Sequence, residues 1–408
     1  QAGMLAFYGA GGMGQEQIET AITRIASSLA TGQAYGVNLL ANPAQPQEEA
    51  ATVALLLRLG VRNVEASAYL QVSPALVRFR LHGATLDGQG RAQAANRIIA
   101  KLSRPQVARQ FLQPAPQHMV DQLLAQGLLT TEEAALAGQL PLASDICVEA
   151  DSGGHTDMGV MAVLLPAMVR LRDQFQQQYG YVRPPRVGSG GGIGTPEAVA
   201  CAFLLGADFI VTGSINQCTV EAGISDAVKD LLQEMDVSDT AYAPAGDMFE
   251  LGARIQVLKK GLLFPARASR LHELWRNHGG LEQIDAGVRR EIQEKYFHRS
   301  FEEVYAETAA YYQHAEPAEI ARAERHAKVK MALVFRWYFV HSMRLAMAGS
   351  AEQRTDYQIH TGPALGAYNQ WVKDSVLEDW RQRQVAQIAE QLMQAGADYM
   401  QGRFRLFL

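Results

Sequence analysis

Short apolar runs closed by small or polar residues recur along the first half of the chain, near 3–8, 34–40, 63–69, 97–103, 146–151, 186–190 and 208–213. Between them, apolar residues fall at helical spacing over 15–30, 47–59, 74–80, 105–137, 158–179 and 195–206. Strand and helix in alternation predict a parallel sheet. The helix at 195–206 carries its own punctuation. Thr195 is a good N-cap, Pro196 opens the first turn, and Ala198, Val199, Ala202, Phe203 and Leu205 form the buried stripe before Gly206 ends it. After residue 214 the pattern changes. Residues 225–408 show almost no strand alternation, and helices are expected at 247–258, 268–277, 281–295, 300–313, 317–348 and 365–400.

Seven strands are one short of a closed (β/α)8 TIM barrel. The first run begins two positions after Gln1, so the expectation is an α/β barrel whose first strand and helix precede this sequence. Residues 1–224 are read as the barrel and 225–408 as a large α-helical C-terminal subdomain. An open doubly wound sheet is the alternative. The barrel is preferred because phosphate sites after the last two strands are a barrel habit.

Composition narrows the function. Lys and Arg number 37 against 42 Asp and Glu, a net charge of −5, so no general attraction to nucleic acid or anionic membrane is expected. The most apolar segment, 331–340, is broken by Arg336 and falls far short of the ~20 residues of a membrane span, so it reads as a buried helix. Cys147, Cys201 and Cys218 form no CxxC pair and read as free thiols in a reducing cytoplasm.

The chemistry concentrates at strand ends. The runs at 186–190 and 208–213 lead into Gly190, Gly191 and Gly192 and into Thr212, Gly213 and Ser214. Two neighbouring strands ending in small residues leave bare N–H groups beside helix N-termini, which predicts a phosphate cradle. The GAGGMG at 9–14 fits G-x-G-x-x-G, but the next strand ends without the acidic residue that holds a ribose, so a dinucleotide reading is set aside. The segment 151–157, DSGGHTD, follows another strand. Its glycines, Gly154 included, let the backbone approach a flat ligand and place His155 over it for proton transfer or carbonyl binding. Lys101 in an apolar strand needs a negative partner or a cofactor oxygen. Asn38 ends a neighbouring strand and offers a donor and an acceptor. No second His or Cys lies at ligand spacing near Glu149 and Asp151, so no metal is expected. The Gly- and Pro-rich loop at 242–249 suggests a cover over the mouth with Tyr242 as a second proton donor, and 359–371 has the small residues of a substrate-lining loop.

SGGHTD at 152–157, SGGGIGTPEAVA at 189–200 and GADFIVTGS at 206–214 resemble the flavin-dependent barrels that include nitronate monooxygenases and flavin enoyl reductases. The segment 215–268, KMALVFRWYFVHSMRLA at 330–346 and YQIHTGPALGAYNQWVK at 357–373 resemble the trans-acting, PfaD-type enoyl reductases of polyketide synthases that lack built-in acyltransferases. The resemblance implies FMN at the cradle, with Gly191, Gly192, Gly213 and Ser214 at its phosphate, Asn38 facing the flavin, and His155 as the active-site histidine. It also implies NADPH as reductant and an enoyl thioester on acyl carrier protein as substrate. A homodimer is compatible with the sequence. The alternatives are a nitronate monooxygenase-like flavin oxidase and a non-catalytic barrel that binds a phosphorylated ligand.

Overall fold

Seven parallel strands form one curled sheet in the order in which the chain supplies them. They are Phe7–Tyr8, Gly36–Leu40, Asn63–Ser67, Arg97–Leu102, Asp145–Glu149, Arg186–Gly190 and Ile210–Val211. The computed structural model describes residues 3–30, 32–43 and 45–406. Each strand pairs with its predecessor, without the reversal of order that defines a doubly wound sheet, so the winding is that of a barrel. The two outermost strands, Phe7–Tyr8 and Ile210–Val211, are half-buried and do not pair with each other.

The strands read as apolar runs because one face of each meets the surrounding helices. Val64, Ile98, Ile146, Val148 and Val187 are essentially inaccessible, and each contributes about 1.5–3 kcal/mol by leaving water. The opposite face is unusual for a barrel. Branched apolar residues ordinarily fill the interior, whereas here Asn38, Glu65, Lys101 and Glu149 meet one another inside the sheet. The expected helix at 105–137 is three helices, Pro105–Leu112, Gln117–Ala125 and Thr131–Leu136. Prolines at 114 and 116 and the left-handed Gly127 break it.

The later half departs from its expected all-helical pattern in one place that matters. The stretch 247–258 is a single helical turn, Phe249–Leu251, followed by a strand, Arg254–Leu258. That strand pairs antiparallel with Thr240–Pro244 on one side and with the short strand Gly154–His155 on the other. Alternation explains it. Ile255 and Val257 face a second hydrophobic core while Gln256 turns to the polar side. The second core spans Ala243 to Phe339, and its centre is the helix Ala327–Ala348, buried along most of its length. The helix Val385–Phe404 returns to the barrel and packs on Pro196–Leu204. A Cβ at Gly396 would lie 2.6 Å from Val199 Cγ1, so only glycine allows that approach.

Candidate functional site

The C-terminal ends of the central strands converge on one mouth. Val211 is level with Gly190, and Glu149 is level with Gly190 on the other side. Gly191 has φ +85°, and a Cβ there would come within 2.6 Å of the Ala150 carbonyl oxygen, so the turn requires glycine. Gly192 and Gly213 differ from it. A Cβ on either would project into open space with no atom within 4 Å. Backbone without side-chain cover is thus exposed at two adjacent strand ends. Thr212 is tied down, because Asn216 Nδ2 donates to its carbonyl and its hydroxyl oxygen at 3.1 Å each. Ser214 Oγ accepts from the Gly362 N–H at 3.0 Å and keeps its own proton to donate.

His155 lies at the edge of the antiparallel sheet, with its side chain about half exposed. Asp247 Oδ1 stands 2.9 Å from its Nε2. The Asp247 carboxylate holds the imidazole above its ordinary value, against partial burial. Burial works to raise the Asp247 carboxyl, but the hydrogen bond and charge of His155 hold it below the usual carboxylate value. Each partner thus favours the charged form of the other. Nδ1 has no protein partner among the described residues. The loop that carries His155 is fixed at both ends. Asp151 N–H donates to the Gly159 carbonyl at 2.8 Å. Arg104 donates to Asp157 through Nε and Nη2, each at 2.9 Å. Between them Met158 adopts φ +56°, a strained setting of the kind that collects near functional sites.

Asp151 anchors a second layer. It accepts from Thr156 Oγ1 at 2.7 Å, from the Tyr242 hydroxyl at 2.5 Å and from Gln256 Nε2 at 3.3 Å. Burial and the Asp151 carboxylate push the Tyr242 phenol up to about 12. Its proton is thus directed at Asp151 and holds the loop, so the expectation of a second proton donor does not match this geometry. The 358–362 segment runs beside His155. His360 bridges to Val257, lies against Gly154, and is pushed down to about 4 by burial, with the charge of His155 adding to the effect. Gly154 is buried against that neutral ring rather than open to the mouth.

Inside the barrel, Asn38 Nδ2 donates to Glu65 Oε2 at 2.8 Å and to Ser67 Oγ at 2.9 Å. Lys101 Nζ lies 3.4 Å from Glu149 Oε1. Burial opposes the Lys101 charge, but Glu149 and Glu65 outweigh it and hold the ammonium above its ordinary value. Burial pushes Glu149 up despite Lys101. Burial also drives the Cys147 thiol well up, leaving it protonated and inert. Asn38 and Lys101 thus share the interior below the mouth, while Gly192, Gly213 and Ser214 lie at the ends of the last two strands beside it.

Asp247, Glu65 and Asp151 are the site residues that sequence reasoning did not single out for these contacts. Asp247 sits in the Gly- and Pro-rich loop already noted as a cover, but its partner lies 92 residues earlier, beyond any local spacing. Among the described residues no group of three or more His, Cys, Asp or Glu side chains could hold a metal ion, and no helix is long and apolar enough to cross a membrane.

Residues 278–357 match the family described as acyl-carrier-protein S-malonyltransferase, inserted helical domain. The chain is 54% identical over 393 residues to polyketide biosynthesis protein PksE of Bacillus subtilis, covering 96% of this chain and 51% of that protein. It is 49% identical over 405 residues to polyketide biosynthesis protein ThaF of Burkholderia thailandensis, covering 99% of this chain and 34% of that protein. The chain therefore spans about half, or less, of the curated relatives it matches. The crystal structure of the enoyl reductase domain of MlnA, from the macrolactin biosynthesis cluster of Bacillus amyloliquefaciens, matches with a TM-score of 0.95 and 42% identity, over 100% of this chain and 91% of that one. At that identity and coverage, across barrel and helical region alike, the chain belongs to the family of enoyl reductase domains in which the MlnA domain is a solved member.

Proposed function

We propose that this chain reduces the α,β double bond of an enoyl thioester presented on an acyl carrier protein during polyketide biosynthesis, with FMN as resident cofactor and NADPH as reductant. The observation that carries the reading is the hydrogen-bonded His155–Asp247 pair on the same mouth as the uncovered backbone at Gly192 and Gly213. The residues fit FMN at its phosphate end, where the backbone at Gly192 and Gly213 faces open space and the Ser214 hydroxyl has a proton to give.

When bound, FMN reduced by NADPH supplies the hydride that adds to the β-carbon of the substrate. The chain's own residues do the rest. Asp247 favours the protonated imidazole and fixes its Nε2, which leaves Nδ1–H for the substrate. His155 then gives its proton at the α-carbon, and solvent restores it through the exposed edge of the ring. Asp151, with Tyr242 and Gln256, holds the loop so that the imidazole keeps its aim. Asn38 and Lys101 supply hydrogen bonds and positive charge to the polar edge of a flat ring system in the barrel. Exposed Met158, Val160 and Val163 beside His155 provide an apolar approach for an acyl chain. On this reading residues 1–224 hold the cofactor and 225–408 frame the entrance and receive the carrier protein.

The test is spectroscopic. The purified protein, loaded with FMN, is expected to show flavin absorbance that bleaches anaerobically with NADPH and returns on addition of an enoyl thioester. His155→Ala is expected to keep the NADPH-driven bleaching and lose most of the return. A protein that binds no FMN, or a His155→Ala variant with wild-type turnover, counts against the reading.

A further inference from the structure

Arginines gather at the end of the barrel opposite His155. Arg97, Asp145 and Arg186 are the first residues of three adjacent strands, whereas the cradle follows the last residues of the same sheet. Along Arg186–Gly190 the two ends are about 13 Å apart at ~3.3 Å per residue. A cavity of about 240 Å³ opens there, lined by Arg80, Arg97, Arg183, Arg186, Asp145 and Tyr181 among others.

The charges do not balance. Arg80 is buried at the floor, donating through Nε to the Pro141 carbonyl at 3.0 Å and through Nη1 to the Asn96 carbonyl at 2.6 Å. Neither partner is charged. Burial pushes its guanidinium down to about 10, with Asp145 opposing the fall and Arg97 adding to it. Asp145 is the one carboxylate among the lining residues, and it already accepts from Arg186 Nε at 2.6 Å. Nearby Asp208 is likewise engaged, by the Val187 N–H at 2.7 Å and by Arg172 at 3.1 Å. Arg97 and Arg183 are exposed and have no carboxylate partner among the described residues. Four guanidinium groups thus face one cavity with a single carboxylate between them. A buried cation without a charged partner is costly, and planar guanidinium forks match phosphate oxygens.

We propose that this pocket on the N-terminal face of the barrel is a binding site for a small phosphate monoester, separate from the flavin cradle. Its excess positive charge suits a dianion, and its volume suits a phosphate with a small organic group. The proposal rests on this cluster and not on the assigned reaction.

The probe is inorganic phosphate, titrated by calorimetry at constant ionic strength into FMN-loaded protein, so that the cradle is filled. Wild type is expected to bind one phosphate per chain saturably. Arg97→Ala/Arg183→Ala, which changes only exposed side chains, is expected to bind about tenfold or more weakly. Arg403→Ala/Arg405→Ala, with the same change of net charge on exposed residues elsewhere, is expected to bind as wild type. No saturable binding in wild type, equal binding by the Arg97/Arg183 variant, or equal loss in both variants overturns the proposal. If the chain holds no FMN, the difference between the two double variants still reads this pocket, since neither touches the cradle.

Discussion

Two alanine substitutions at neighbouring strand ends have opposite expected outcomes, and together they test whether the strand-end glycines face a phosphate. Gly191→Ala places a Cβ 2.6 Å from the Ala150 carbonyl oxygen at φ +85°. The left-handed backbone costs about 1–2 kcal/mol for an L residue, and relief of the clash costs about 1–3 kcal/mol more. At about 1 °C per kcal/mol for a chain of this length, the protein loses roughly 2–5 °C of Tm. Gly213→Ala meets nothing within 4 Å, and its φ of −130° is not in the left-handed region. Its stability is expected to change by less than about 0.5 kcal/mol, as for an unobstructed surface site. If a phosphate approaches that backbone, the new methyl takes its place and one charge-assisted hydrogen bond is lost, about 1.5–3 kcal/mol, or roughly 10- to 150-fold in FMN affinity. Quenching of FMN fluorescence on titration with flavin-free protein measures it. Wild-type affinity in Gly213→Ala, with Tm unchanged, refutes the cradle.

Asp247→Asn removes the carboxylate that raises the His155 imidazole above its ordinary value. Without that carboxylate the imidazole is expected to lose its proton at a lower pH. The rate of the proton-dependent step should therefore fall at lower pH in the variant than in wild type, while flavin bleaching by NADPH stays unchanged. A pH profile with the same midpoint in both proteins removes Asp247 from this role. Lys101→Met takes away the cation beside Glu149 and Glu65. Because the pair is about a quarter to a third exposed, the loss is expected to be ~1–2 kcal/mol in urea unfolding rather than the value of a fully buried pair; an unchanged midpoint would argue that the Lys101–Glu149 pair contributes nothing to stability. Native protein is expected to react with a thiol reagent at Cys201 alone, since Cys147 and Cys218 are buried. Labelling of three thiols without denaturant contradicts that burial.

The parallel strands were legible because strands buried by helices are continuous apolar runs, and the glycine turns announce where they end. The strand Arg254–Leu258 was not, because five residues of alternation are easily absorbed into a helical neighbourhood and its partner Gly154–His155 carries almost no strand signal. Lys101 stood out as a charge in an apolar run. Its partners Glu65 and Glu149 became visible only with the register, which sets Glu65 beside Ile99 and Lys101 beside Cys147. His155 was marked by its glycines. Asp247 was not, since nothing local ties a loop aspartate to a histidine on another element.

The packing of Val385–Phe404 on Pro196–Leu204 has a consequence for synthesis. The helix Pro196–Leu204 leaves the ribosome with Val199 uncovered, and the residues that cover it lie some 180 positions later in the sequence. At ~5–20 residues per second, that apolar stripe waits about 10–35 s for its cover. Val199 and its neighbours form the interval's natural point of attachment for a chaperone or for a second nascent chain, and slowing translation between residues 204 and 385 should lengthen that exposure and lower the soluble yield.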